Sequence, residues 1–579
     1  MTDYDFMIGR EKPSISGIVA PSRQENFHKV FFGKKEVLLP LFGNVKQAFN
    51  AHPECDTFLN FASFRSAYDV TIKAFKIDAI KTIVITAEGI PERLARRIRE
   101  TAIKTSKLII GPSTVGAMNP GAFKVANIGG AIENILEAKL CNTGSVGLVT
   151  RSGGLFNELA NMIYRNSNGI YEGVAIGGDR FPGSEFLEHI IRFENNPKIK
   201  MIVMLGELGG SSEYAVINAM KEGRITKPVI AWCIGTVAKY MKSEVQFGHA
   251  GAKADKEMET AQAKNKALSD AGAIVPVSYN DLPELIAETS KKCKIEKMVY
   301  KPSGILKRSK IITSRRVATN FICTISDDTG AEPTYIGTPI SEVAGDDYSI
   351  GDVISMLWFK RRFPAWASDF FVLVLKIVAD HGPAVSGAHN TRITARAGKD
   401  LISSLVSGLL TIGPRFGGAI DGSAKYFFGA LDHMEPLEFV TKMKESGVNI
   451  PGIGHRIKSV RNPDKRVTLL KEYADKHFPV NRLLPYALEV EKITTAKKDN
   501  LILNVDGTVG ILLVDLLLSL DYSRKEILNI ITNWGLFNGL FLLGRSIGFI
   551  GHYIDEKRLN MPMYRHPWND ILYDARPEK

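Results

Sequence analysis

Little in this chain suits export or a membrane. Its five cysteines (55, 141, 233, 293 and 323) are scattered and odd in number, which argues against a disulfide framework and predicts a reduced, cytoplasmic setting. Met1-Thr-Asp-Tyr-Asp5 has no basic flank leading into an apolar core, so no secretory leader is expected. Long hydrophobic runs are missing too. The most apolar stretches, 511–520 and 535–551, are short and are interrupted by Asp515, Asn538 and Arg545, and neither reads as a membrane span. There is no internal repeat and no low-complexity tract.

What is present is an ordinary globular composition, 45% hydrophobic and 23% charged over 579 residues, enough for three or four domains. The formal charge of +12 is concentrated: residues 291–316 hold ten Lys or Arg against one acid, Glu296. The rest is nearly balanced, so nucleic acid is not expected as a partner. With Pro302, Ser303 and Gly304 inside it, the basic run reads as an exposed linker, or else as a site attracting a polyphosphate ligand or an acidic partner.

Up to about residue 290, β-type runs at 57–62, 82–87, 108–111, 145–150, 201–206 and 228–234 alternate with helical stretches such as 91–104, 155–165 and 213–222. This pattern predicts parallel α/β layers in two domains, with a break near 120–145. A short β-like piece at 319–336 follows the linker. From about residue 350, helical patterns broken by Gly or Pro predict a mostly α domain. The fold class is α/β followed by mostly α.

One histidine stands out. His249 lies in Ser243-Glu-Val-Gln-Phe-Gly-His-Ala-Gly-Ala252, flanked by small residues, with no second His or Cys within metal-ligand spacing. Small neighbours leave room for a bulky group on the imidazole, so it reads as a covalent carrier or as a satisfied histidine in a tight turn. In open parallel sheets, ligands sit at the carboxyl ends of strands, where helix N-termini offer N–H groups to anions. Two segments fit: Ser145-Val-Gly-Leu-Val-Thr-Arg-Ser-Gly-Gly154, with Ser152, Gly153 and Gly154 at the turn, and Met201-Ile-Val-Met-Leu-Gly-Glu-Leu-Gly-Gly210, with Gly209 and Gly210. Together they suggest a phosphoryl group on His249 held between two helix N-termini. Glu207 would fix the imidazole's tautomer or hold Mg²⁺ beside phosphate, or else is a helix N-terminal acid that satisfies the dipole. Glu88, ahead of Pro91, is a second carboxylate partner.

Taken in order, Glu88-Gly-Ile-Pro-Glu92, Ser152-Gly-Gly154, Gly177-Gly-Asp-Arg-Phe-Pro-Gly-Ser184, Gly206-Glu-Leu-Gly-Gly210 and Gly248-His-Ala-Gly251 resemble the α subunit of succinyl-CoA synthetase, over about residues 30–290. The resemblance implies a Rossmann-like CoA-binding domain at 1–125 and a flavodoxin-like CoA-ligase domain at 126–290, with His249 phosphorylated. It implies a thiokinase that passes from phosphohistidine to acyl phosphate to CoA thioester.

Beyond a linker at 291–318, the domain at 319–579 carries a second cluster: Asp380-His-Gly-Pro-Ala-Val-Ser-Gly-Ala-His389, Gly452-Ile-Gly-His-Arg456, Asn504-Val-Asp506, Arg545 and Arg565. Carbon–carbon chemistry beside a thioester needs proton transfer at the α carbon and at the hydroxyl, and cations for the carboxylates. These segments resemble citrate synthase, which implies an all-α domain with His381, His455 and Asp506 as catalytic residues and Arg466, Arg545 and Arg565 on the substrate's carboxylates. One departure matters. Where citrate synthase has histidine in G-P-x-H-G, this chain has Gly413-Pro-Arg-Phe-Gly417, and the Phe416 side chain cannot hydrogen-bond an enolate.

The two modules in one chain resemble the ATP-citrate lyase family, which also has phenylalanine at that position; Lys492-Ile-Thr-Thr495, Asn504-Val-Asp-Gly507 and Tyr564-Arg-His-Pro-Trp568 add to the likeness. The resemblance implies ATP, Mg²⁺ and CoA as cofactors. Citryl-CoA would form in the first part and be cleaved in the second, with His381 or His455 taking the hydroxyl proton and Asp506 protonating the acetyl-CoA carbanion. For CoA it points to Ala62 and Ser63 and to 268–278, including Leu268, Gly272 and Ser278; Lys497 and Lys498 either meet its phosphates or are simply solvated. No segment resembles an ATP-grasp domain, so the resemblance implies a smaller partner subunit that carries one, and self-association through the citrate synthase-like domain. The chain begins downstream of a strand and glycine turn usual in the family, so that strand is either trimmed or missing. The alternatives are a citryl-CoA or related acid–CoA synthetase subunit with a structural helical domain, and a CoA-binding scaffold.

Overall fold

The computed structural model describes residues 1–240, 248–254, 256–296, 303–413 and 417–577. Residues 243–247 of the histidine segment, and Phe416, lie outside them. The chain forms two compact units, Met1–Asn320 and Phe321–Lys579.

The first unit opens with a small sheet in which β1 (Ile18–Val19) runs parallel to β3 (Lys35–Phe42), and β2 (Phe27–Phe32) pairs antiparallel on the other side of β3. Next, β4 (Thr57–Asn60), β5 (Thr82–Ile85) and β6 (Leu108–Ile110) form a parallel sheet in that order. The largest sheet takes β7 (Gly116–Asn119), β8 (Phe123–Val125), β9 (Val146–Thr150), β10 (Ile170–Ala175), β11 (Met201–Glu207) and β12 (Val229–Ile234) in the order β12-β11-β9-β10-β7-β8. Its first four strands are parallel; β7 and β8 are antiparallel additions at the edge. β9 and β11 are buried at every residue, as strands covered on both faces by helices must be. The covering helix Gly153–Asn166 buries Phe156, Leu159, Ala160 and Ile163, the stripe of a 3.6-residue period.

The six β-runs expected before residue 290 are all strands, and the three helical stretches are Glu92–Thr105, Gly153–Asn166 and Ser212–Lys221. Two boundaries differ. β7 and β8 belong to the large sheet, so the first α/β layer ends before Gly116 and not at 125. The basic stretch read as a linker contains the helix Ser303–Thr313, whose Ile312 is buried in the same core as Tyr4 and Met7 of the helix Thr2–Ile8. Arg308 Nε donates to Met7 O at 2.8 Å. The β-like piece at 319–336 corresponds to two-residue strands, β13 (Ser326–Asp327), β14 (Thr334–Tyr335) and, just beyond it, β15 (Thr338–Pro339), in the second unit.

The carboxyl ends of the two parallel sheets are laced together. Gly111 N donates to Ile176 O at 2.9 Å, Ser113 N to Ala87 O at 2.8 Å and Gly178 N to Ser113 O at 3.1 Å. Gly111 has φ +98°, and a Cβ there would lie 2.3 Å from Ile85 O, so only glycine fits this approach. A side-chain clip reinforces the seam: Ser184 Oγ donates to Ile109 O at 2.5 Å and accepts from Nε2 of the wholly buried His189 at 2.9 Å, while His189 Nδ1 accepts from Arg192 Nη1 at 3.1 Å.

The second unit is helical beyond its small sheet. Its centre is the helix Val505–Ser519, buried on nearly every side and packed against Ala419–Ala430, Leu483–Lys497 and Lys465–His477. The apolar run at 511–520 is therefore core. Asp515 within it is wholly buried and accepts from the backbone N–H groups of Arg482, Leu483 and Leu484, capping the helix Leu483–Lys497 from outside. Among the described residues, no single helix is long and apolar enough to cross a membrane.

Asn60 closes β4. Its Nδ2 donates to Ala67 O and to Thr71 Oγ1, both at 3.0 Å, and its Oδ1 accepts from Ala62 N at 2.9 Å. Asn60→Ala removes three hydrogen bonds and leaves the half-buried Ala62 N–H without its acceptor, while Thr71 Oγ1 and Ala67 O still pair at 2.7 Å, so chemical denaturation is expected to show a loss of about 1–3 kcal/mol.

Candidate active sites

Three strand ends of the large sheet converge on His249. Glu207, the last residue of β11, is 2% exposed. Its Oε2 accepts from His249 Nδ1 at 2.8 Å and its Oε1 lies 3.4 Å from Arg151 Nε. Arg151 follows β9, is buried, and donates through Nη2 to Asp179 O at 2.6 Å. After β10, Gly178 supports the imidazole directly: a Cβ there would lie 2.5 Å from His249 Cδ2. Gly251 N donates to Gly178 O at 3.3 Å, tying the histidine loop to the Gly178–Ser113–Ala87 row of hydrogen bonds. That row brings in Glu88, exposed on the turn after β5, whose charge acts on His249.

The pKa of His249 is raised above the usual 6.5, chiefly by the hydrogen bond to Glu207 and against burial and Arg151. With Nδ1 donating to the carboxylate, the nucleophilic nitrogen is Nε2. The predicted phosphate-binding turns stand at the same sheet edge. Ser152 Oγ accepts from Leu155 N at 3.3 Å, capping the helix that begins at Gly153, and Gly154 is exposed. Gly209 and Gly210 both have positive φ, +92° and +61°, and the helix Ser212–Lys221 starts without a side-chain cap, leaving its first N–H groups to an anion.

The two functional roles expected for Glu207 fall on different oxygens. Oε2 is taken by His249, whereas Oε1 has only the Arg151 charge 3.4 Å away and no hydrogen-bond partner among the described residues, an orphaned buried acceptor of the kind a cation satisfies. Among the described residues no group of three His, Cys, Asp or Glu gathers to complete a metal site. Glu207 orients the imidazole through Oε2, and its Oε1 would suit Mg²⁺ completed by phosphate oxygens and water.

The residues expected to bind CoA separate. Ala62 and Ser63 lie on the turn after β4, with Ser63 O accepting from Ser66 N and Ala67 N as the helix Ala67–Phe75 begins. Leu268 is wholly buried in the core, so it packs and does not contact a ligand. Gly272 closes the helix Ala261–Asp270 just before Ile274, which bridges Ile230 near the amino end of β12, away from the edge that holds Glu207. Ser278 is exposed and forms a capping box with Asp281.

In the second unit the geometry fixes two tautomers. His455 Nδ1 accepts from Ile457 N at 3.0 Å and Lys458 N at 2.9 Å; backbone N–H groups only donate, so the ring proton sits on Nε2. His381 Nδ1 accepts from Arg466 Nη1 at 3.1 Å, with the same result. Both pKa values are lowered, first by burial. Arg466 is aligned by Asp464, giving Nε to Oδ1 at 3.1 Å and Nη2 to Oδ2 at 2.7 Å. Asp380 accepts from Gly382 N at 2.9 Å and His552 Nε2 at 3.0 Å, bracing the turn that carries His381.

Asp506 lies in the first turn of Val505–Ser519, which Asn504 caps by accepting from Gly507 N at 3.0 Å. Burial raises its carboxyl pKa, against the opposing charges of Arg545 and Arg466. Arg545, from the helix Phe537–Arg558, is buried with its guanidinium 4.7 Å from the Phe541 ring centroid, and its Nε and Nη1 have no hydrogen-bond partner among the described residues. Such orphaned donors suit a carboxylate. Arg565 is not brought to this cluster: it lies exposed near the end of the chain and makes no hydrogen bond or ion pair with it among the described residues. Lys497 and Lys498 are exposed at the end of Leu483–Lys497, close in sequence to Asn500, whose Nδ2 donates to His455 O at 3.0 Å. Reading by residue type passes over Arg151, Asp464 and His552, of which only Arg151 lay within a segment already singled out.

Residues 149–274 match the CoA-ligase family, and residues 361–566 match the C-terminal domain of citrate synthase. The chain is 52% identical to "ATP-citrate synthase beta chain protein 1" of Arabidopsis thaliana, covering 99% of this chain and 96% of that one. It is 50% identical to human "ATP-citrate synthase" over 99% of this chain but only 53% of that protein. Among solved structures, ATP citrate lyase from Methanothrix soehngenii in complex with citrate and coenzyme A is 52% identical, with a TM-score of 0.50 and coverage of 100% of this chain and 95% of that chain.

Two outcomes follow from the histidine geometry. Glu207→Gln removes the charge that holds the His249 proton, so the titration of the ring, followed by NMR, is expected to move down toward 6.5, and neutral Nε2 to appear at lower pH than in the parent. In the parent the protonated ring adds stability that is complete below pH 6.5 and is lost as pH rises through the raised value. Gly178→Ala forces the imidazole off its support and is expected to cost about a hundredfold in phosphorylation of His249, read as acid-labile label.

Proposed function

Because the chain belongs to the ATP-citrate synthase family, also called ATP-citrate lyase, we propose that its two clusters divide one reaction: ATP, citrate and CoA give acetyl-CoA, oxaloacetate, ADP and phosphate. The observation that carries this division is the pairing of a carboxylate-oriented histidine in the CoA-ligase region with a His–Asp–Arg cluster in the citrate synthase-like region. His249 Nε2 accepts the phosphoryl group from ATP, and the N-terminal turns at Ser152–Gly154 and Gly209–Gly210 stabilise its charge. The phosphoryl group passes to citrate, and CoA thiolate displaces phosphate to give citryl-CoA. The exposed turn at Ala62 and Ser63 is assigned to CoA. Mg²⁺ is assigned to ATP, and Glu207 Oε1, which has no hydrogen-bond partner among the described residues, would hold it beside the phosphoryl group.

Cleavage belongs to the second cluster. Arg545, with two unsatisfied donors, and Arg466 hold carboxylates of the citryl group. His455 is locked as an Nε2–H donor by two backbone groups, so it binds substrate oxygen. The Nδ1 of His381 accepts from Arg466, a side chain that substrate carboxylates also attract, so this unprotonated nitrogen is released when the citryl group binds, and His381 takes the hydroxyl proton. Asp506, its pKa raised by burial, delivers a proton to the departing acetyl-CoA carbanion. A merely structural helical domain would not need this arrangement.

The plant relative's designation as a beta chain fits a two-subunit enzyme, and the chain spans about half of the human relative. We assign the remaining function, nucleotide binding by an ATP-grasp domain, to a smaller partner subunit. Exposed Ile402, Val406 and Leu410 at the helix Leu401–Leu409, and Leu543 and Ile547 on Phe537–Arg558, support self-association through the helical unit. The five free cysteines suit a cytoplasmic setting.

With the ATP-grasp partner and γ-labelled ATP, acid-labile label is expected on His249; no label would sink the phosphohistidine step. Asp506→Ala should keep that label and still form citryl-CoA while oxaloacetate release falls at least about a hundredfold. Loss of both half-reactions would overturn the division of labour.

A further inference from the structure

Behind the Glu207 turn lies an ion pair that the reaction as described does not use. Lys264, on the helix Ala261–Asp270, and Glu213, in the first turn of Ser212–Lys221, are both wholly buried and 2.7 Å apart. Lys264 Nζ also donates to Glu207 O at 2.8 Å and Gly209 O at 2.6 Å. Glu213 Oε1 accepts from Glu207 N at 3.2 Å. The peptide groups on both sides of the Glu207 Cα are thus held by one pair of opposite charges. The backbone is shaped to admit it: a Cβ on Gly206 would lie 2.6 Å from Glu213 Oε1, and Gly209 holds φ +92°.

A buried ion pair is a poor device for stability alone, since desolvation offsets most of its attraction. Its geometry here serves direction. A trans peptide sets C=O and N–H on opposite sides, so drawing the Gly209 carbonyl inward to Lys264 turns the Gly210 N–H outward, at the uncapped start of Ser212–Lys221. The same hold on the Glu207 backbone sets where its carboxylate meets His249 Nδ1. We propose that Lys264, with Glu213 as its counter-ion, is a positioning residue for phosphoryl transfer, holding the Glu207–Gly210 turn so that carboxylate and N–H groups face the histidine's phosphoryl group together. This rests on His249 being the phosphoryl carrier.

The test uses the intact two-subunit enzyme, γ-labelled ATP, and the variants Lys264→Met and Glu213→Gln, with thermal melting to report folding. Among the described residues, charged groups that face His249 include Glu207, Arg151 and Glu88, and the Glu207 hydrogen bond is the largest influence on the ring, so slackening that contact must change the pH dependence as well as the rate. Label uptake is expected to fall about tenfold or more, with its acid limb moved to lower pH as in Glu207→Gln. Parent-like uptake with an unmoved limb overturns the proposal. So does a uniform fall at all pH values with the limb unmoved, which is what loss of folded protein alone produces. If Lys264→Met does not fold, Glu213→Gln, which keeps the shape and removes the counter-charge, decides by the same two criteria. An unlabelled parent enzyme would instead refute the phosphohistidine reading itself.

Discussion

The contact between Glu207 Oε2 and His249 Nδ1 is the interaction on which the first unit's arrangement depends. A buried carboxylate needs opposite charge or hydrogen-bond donors beside it, and Glu207 has the Arg151 guanidinium beside one oxygen and the imidazole on the other. That requirement explains why the ends of β9, β10 and β11 must coincide. β9 supplies the guanidinium, β10 the glycine against which the ring rests, and β11 the carboxylate. The parallel order of the sheet puts all three on one edge, beside two helix starts, as the general rule for ligands in open α/β sheets leads one to expect.

The helical unit solves the opposite electrostatic problem. His249 is held toward the protonated state, whereas His381 and His455 are held neutral, by burial and by a neighbouring guanidinium. Asp506 is pushed the other way, its carboxyl favoured as an acid even though two arginines oppose the shift. One chain thus holds imidazoles poised for attachment of a group and imidazoles poised to bind and relay protons. The difference comes from what surrounds each ring: a carboxylate on Nδ1 in the first case, burial and cationic neighbours in the second.

Much of this was legible in residue order, and the parts that were not share a cause. Strands β9 and β11 announce themselves as continuous apolar runs because both faces are covered. β10, interrupted by Glu172 and Gly173, does not, and Gly173 is required because the Phe156 ring occupies the space of its Cβ. β7 and β8 are too short to show a period. Likewise His249, Glu207, Asp506 and Arg545 sit in distinctive segments, whereas His552 acts through a contact across 172 positions, and Asp464, though only 2 positions from Arg466, lies in no motif that marks it. Leu268 illustrates the reverse error. A family motif carried it into the binding site, but its place is the core, because the motif records a helix that must pack as well as a turn that is exposed.

The clip between the two parallel sheets sets a limit of another kind. His189 is neutral because it is sealed, with its pKa pushed down to about 3 from 6.5, first by burial and then by Arg192. Once unfolded, the same ring takes up a proton readily below pH 6.5, so each further unit of acidity costs the folded unit about 1.4 kcal/mol until the buried value is reached. The seam that gathers the strand ends is therefore also a built-in acid weakness, and it draws an upper boundary on the acidity in which this catalyst can persist.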